Sequence, residues 1–140
     1  MNILHIYSKN NELIHKHVQL LVEGLRQSAN VQVADNTKSF YQQARDMQAD
    51  IIHVHGVNQL LHTKALRCAQ KLNIRYVITL HGQMQPFALE QLPPQQRVAM
   101  LLYLRDFIQH AYSIITFGKM ETSCSASLAG TRVSRRFAMP

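Results

Sequence analysis

Five short runs rich in Ile, Val and Tyr alternate along the chain with stretches of helical period: Ile3 to Tyr7, Val31 to Ala34, Ile51 to His55, Tyr76 to Leu80 and Ser113 to Phe117. Such runs, bounded by polar turns, read as strands. Between the first two, about Glu12 to Gln27, Ile14, Val18, Leu21 and Leu25 fall on one helical stripe. A second helix follows Thr37 as a plausible N-cap and turns Phe40, Ala44 and Met47 inward. A third, about Asn58 to Leu72, opposes the row Val57, Leu61, Ala65, Cys68 and Leu72 to His62, Lys64, Arg67 and Lys71. The fourth begins after Pro93-Pro94 and runs to about His110; its stretch Val98 to Leu104 is apolar nearly all round and is expected in the core, the alternative being a helix covered by a partner or a membrane surface. Strands that alternate with helices select an α/β fold, a Rossmann-like, mainly parallel sheet with right-handed crossovers and helices on both faces.

The third and fourth strand runs each end in His-Gly, at His55-Gly56 and His81-Gly82. Ligands of open parallel sheets bind outside the carboxyl ends of the strands, so both histidines are expected side by side at that rim. His53 and His55, two apart on one strand, share a face, which is the spacing of a metal-binding pair. No third ligand falls at a convincing position in the sequence, so no metal is assigned, and a metal-dependent hydrolase built on His53 and His55 stays open as an alternative. His5, His15, His17, His62 and His110 read as surface or helix-face residues.

Several function classes drop out. At 140 residues, 46% hydrophobic and 16% charged, the chain reads as one compact domain spanning residues 1–140 rather than a disordered tail. No apolar run approaches the roughly 20 residues that span a bilayer, and the N-terminus lacks the blocks of a signal peptide, which makes the cytoplasm the expected compartment. Two cysteines without C-x-x-C spacing, one of them Cys68 in a helix row, argue against a disulfide framework or a zinc ribbon. The formal charge of +7 permits an anionic partner through Lys64, Arg67, Lys71 and Arg75 or through Arg132, Arg135 and Arg136, although a solvated helix face explains the first group as simply. Nothing in the sequence resembles an RNA- or DNA-reading motif, so nucleic acid is not expected as a partner. Ser8-Lys9-Asn10-Asn11 follows the first strand without a glycine, so neither a dinucleotide fingerprint nor a Walker loop is present and no cofactor is expected.

From Asp50 to Glu121 the residues resemble a known family. Asp50-Ile-Ile-His-Val-His-Gly56, then Val77-Ile-Thr-Leu-His-Gly82-Gln-Met-Gln-Pro86-Phe87-Ala88-Leu89, then Arg105 to Ala111 and the strand Ser113-Ile-Ile-Thr116 look like the N-terminal half of a family 4 glycosyltransferase of the GT-B fold. A His-Gly followed four residues later by Pro-Phe-Ala-Leu is hard to obtain from packing needs alone. The resemblance implies the acceptor-side domain of a retaining enzyme that moves a sugar from a nucleotide-sugar to a glycan or lipid-linked acceptor. The donor-binding domain is expected to be missing from this chain and supplied by a second polypeptide. His81 matches the family histidine that faces the transferred sugar, and is the implied catalytic residue. His55, Gly56, Gly82, Gln83 and Phe87 are the implied substrate-binding residues. Polysaccharide assembly, with peripheral contact at the inner face of the membrane, is the implied setting. A truncated, non-catalytic binding module is the alternative.

Overall fold

The computed structural model of the chain describes residues 1–8, 11–34, 40–56, 60–81, 90–115 and 137–138. Strands β1 (Asn2–Ile6), β2 (Asn30–Ala34), β3 (Ile51–His55), β4 (Arg75–Thr79), β5 (Ser113–Ile115) and β6 (Phe137–Ala138) alternate with helices α1 (Glu12–Leu25), α2 (Phe40–Asp46), α3 (Leu60–Lys71) and α4 (Pro94–His110). The strands form one parallel sheet in the order β2-β1-β3-β4-β5-β6. β1 therefore sits between β2 and β3, and every carboxyl end opens at the same edge. The short β6 was not foreseen in the sequence.

Local chemistry sets the element ends. Asn11 caps α1, its side-chain oxygen accepting from the Ile14 N–H at 3.2 Å. Pro94 starts α4, where its missing N–H costs nothing. Gln48 and Asn73, with φ of 51° and 54°, turn the chain out of α2 and α3 in the left-handed conformation common after helix ends.

Strand alternation divides the core in two. On one face Leu4, Ile6, Ile52, Val54, Tyr76, Ile78, Leu80 and Ile114 pack under α2, α3 and α4 in a single apolar cluster. Cys68 belongs to it as a packing residue; Cys124 lies outside the described residues. The Tyr76 hydroxyl donates to the Phe107 carbonyl at 2.6 Å, fastening α4 to β4. On the other face Ile14, Val18 and Val22 of α1 pack on Tyr7 and Val31.

Two expectations need correction. The apolar stretch of α4 is not core throughout: Leu104 is buried, but Val98 and Leu102 are 58% and 70% exposed among the described residues, because only the carboxyl half of the helix reaches the sheet. His5 and His62 are not surface residues, being 0% and 2% exposed. His5 alternates with apolar neighbours on a central strand, and His62 sits in the first turn of α3 beside the end of β3. Arg132, Arg135, Arg136 and the suggested N-cap Thr37 lie outside the described residues.

Candidate active site

The parallel register builds a column of imidazoles on the α1 face of the sheet. His5 pairs with His53 across β1 and β3, and His55 pairs with Thr79 across β3 and β4. Paired residues point the same way, so His5, His53, His55 and Thr79 share one face, with His81 two residues beyond Thr79 at the strand exit. Nδ1 of His5 is hydrogen-bonded to Nε2 of His55 at 2.9 Å, and Nδ1 of His55 to Nε2 of His81 at 3.1 Å. Nε2 of His53 meets the Thr79 hydroxyl at 2.6 Å. The His53 and His55 rings stack at 4.0 Å, and His17 of α1 lies edge-on to His81 at 5.1 Å. His62 joins from the other side through a hydrogen bond with the His55 backbone.

Burial keeps these rings uncharged. Desolvation lowers His5 to about 4, and it holds His53 and His55 well below the usual imidazole value, with neighbouring histidines adding to the effect. His62 is lowered to about 4 by burial against the opposing effect of its hydrogen bond to the His55 backbone. His81 falls to about 4 through burial first and then through His17 and His62. The column therefore offers neutral donors and acceptors at neutral pH.

The rim is shaped by backbone as well. Gly56, with φ of 97°, occupies a conformation that favours glycine, and its N–H donates to the Thr79 carbonyl at 2.8 Å. His81 has φ of 52°, unusual for a residue with a side chain. The structure thus brings His55, Gly56 and His81 together at the carboxyl edge. His55 is fully buried and reaches the rim through its bond to His81. Gly82, Gln83 and Phe87 lie outside the described residues.

Sequence reasoning missed His5, the third imidazole. Ligating nitrogens of His5, His53 and His55 all lie within 4.8 Å of one another, a group able to hold a metal ion. A separate cleft of about 680 Å³ opens at the opposite edge, lined by Asn73, Arg75, Tyr76, Asp106, His110 and Tyr112. It holds none of the column, and the amino ends of parallel strands are not where such sheets bind ligands.

The sequence model of glycosyltransferase family 4 matches residues 11–122. No curated protein matches the sequence. Among solved structures, one described as a UDP-N-acetylglucosamine 2-epimerase from Listeria monocytogenes superposes with a TM-score of 0.67 at 10% identity, covering 97% of this chain and 43% of the other. At that identity the likeness concerns the fold, and the chain spans less than half of that structure's length. With four fifths of its residues inside the family match, the chain belongs to glycosyltransferase family 4.

Proposed function

We propose that this domain is the acceptor side of a retaining glycosyltransferase, and that His81 meets the transferred sugar at the carboxyl edge of the sheet. The observation that carries the reading is the neutral His81 imidazole, held at the strand exit by His55 in a family 4 domain. A neutral ring in a fixed orientation can hydrogen-bond a sugar hydroxyl without first losing a proton. That fixes the sugar and stabilises charge developing at its anomeric carbon. His55 acts through His81 as a positioning residue. Gly56 keeps the backbone low where an acceptor crosses the rim, and Gly82, Gln83 and Phe87 are the proposed neighbours in the adjacent wall.

The nucleotide-sugar donor is held mainly by a donor-binding domain outside these 140 residues. The isolated chain then binds nucleotide-sugars weakly; a tight complex in calorimetry would refute that division of labour. Paired with its donor domain, the enzyme should lose roughly 100-fold or more in kcat on His81→Ala, in line with removal of one preorganised hydrogen bond. Unchanged turnover would remove His81 from the site, and absence of any transfer with every acceptor class tried would favour a non-catalytic binding module.

Surface-polysaccharide assembly on a lipid-linked acceptor is the proposed setting. The exposed Lys64, Arg67 and Lys71 on α3 give a cationic surface for anionic headgroups at the inner face of a membrane, each such charge contributing about 1 kcal/mol. Co-sedimentation with anionic but not neutral vesicles tests this contact. No helix among the described residues is long and apolar enough to cross a membrane.

A further inference from the structure

We infer that His5, His53 and His55 form a binding site for one divalent transition-metal ion of the zinc and cobalt class, on the sheet face beneath His81. Three side chains from two adjacent central strands bring ligating nitrogens within 4.8 Å of one another, all of them buried. Imidazole is the ligand that suits zinc, copper and nickel, whereas calcium and magnesium take oxygen. No carboxylate or thiolate joins the group among the described residues, which selects against the oxygen-seeking ions.

The dimensions fit after a small adjustment. Tetrahedral zinc with bonds of about 2.0–2.1 Å separates its ligand nitrogens by roughly 3.4 Å. Nδ1 of His5 and Nε2 of His55 stand 2.9 Å apart, so an ion held by these two atoms replaces their hydrogen bond once they separate by about 0.5 Å. The His53 ring, now stacked on His55 with planes 21° apart, must turn from Thr79 toward the shared point. Three protein ligands leave the fourth position open. The site does not depend on the sugar-transfer reading.

The test is a Zn²⁺ titration of the metal-stripped full chain, followed through the ring nitrogens of its histidines by NMR. Saturation at one equivalent, with nitrogens of His5, His53 and His55 all shifting, is the expected result, and Co²⁺ should then give the visible absorption of a four-coordinate, nitrogen-rich site. His53→Gln should weaken binding at least about tenfold, a loss that even outer-shell partners produce, and the exposed His110→Gln should leave it unchanged. Shifts confined to His15, His17 or His110 would overturn the assignment, as would no saturation by about 0.1 mM Zn²⁺. If His53→Gln does not fold, the titration of the native chain decides alone.

Discussion

The two faces of the sheet are made from the same strands, residue by residue in alternation, yet they obey different rules. In β3, Ile52 and Val54 turn into the apolar cluster under α3, while His53 and His55 turn to the α1 side. The first face is closed by three helices and contains what burial alone requires. The second carries four imidazoles in mutual contact, one of them without a partner for a buried nitrogen among the described residues. Packing gives no reason to bury so many polar rings together, since each is stabilised only as far as its hydrogen bonds offset its desolvation. One face holds the fold, and on the proposed reading the other gives up stability for the site.

Acid should break the contrast most severely. His5, His62 and His81 titrate at about 4 in the folded chain against an ordinary value near 6.5, so the unfolded chain binds more protons between those limits. Their contribution is complete above about pH 6.5 and is lost as pH falls toward 4. Each pH unit across that window costs about 1.4 kcal/mol for each of the buried His5 and His62, and less for His81, which is partly exposed to screening solvent. Set against a total stability of roughly 5–15 kcal/mol, this should give acid unfolding between about pH 6 and 4, visible by circular dichroism. Retention of the full fold at pH 4 would mean the rings are solvated.

Neighbouring substitutions on β3 sharpen the same comparison. Ile52→Ala opens a hole in the closed face and should cost about 2–5 kcal/mol in urea unfolding. His53→Leu removes a polar ring and leaves the Thr79 hydroxyl without that partner, so a loss of only about 1 kcal/mol is expected at pH 7. At pH 5 the sign should reverse, because the variant no longer carries a ring that resists protonation. Leu102→Ser, on the exposed side of α4, should change stability by no more than about 0.5 kcal/mol. A larger loss would show that something covers that helix.

Much of the closed face was legible because apolar side chains at period 2 and period 3.6 announce their own burial. The positions of β1, β3 and β4 follow from that rule, and His55 and His81 fall at the strand exits as read; on the opposite face the α1 stripe holds for Ile14 and Val18, but Val22 is buried where Leu21 was expected. Val98 and Leu102 were misplaced because periodicity says which residues can be buried, not how far a helix overhangs the sheet. His5 was missed for the opposite reason. A lone histidine in an apolar strand reads as a surface residue by type, whereas its depth is set by strand order, which places β1 beside β3 and sets His5 against His53. A usable signal was present: His5 has the same alternation phase as Ile3 and Tyr7, and a β2-β1-β3 order is common in doubly wound sheets. His62 escaped notice because it opposes the apolar row of α3 along most of the helix, yet its first-turn position brings it to the end of β3.

The ring-nitrogen pH titration of His55 and His81 in the intact chain tests most directly whether a buried, neutral imidazole column ends at the proposed site. Both rings should remain largely uncharged at pH 5.5 for as long as the chain stays folded. Half-protonation of both near pH 6.5 would contradict the column and, with it, the role assigned to His81.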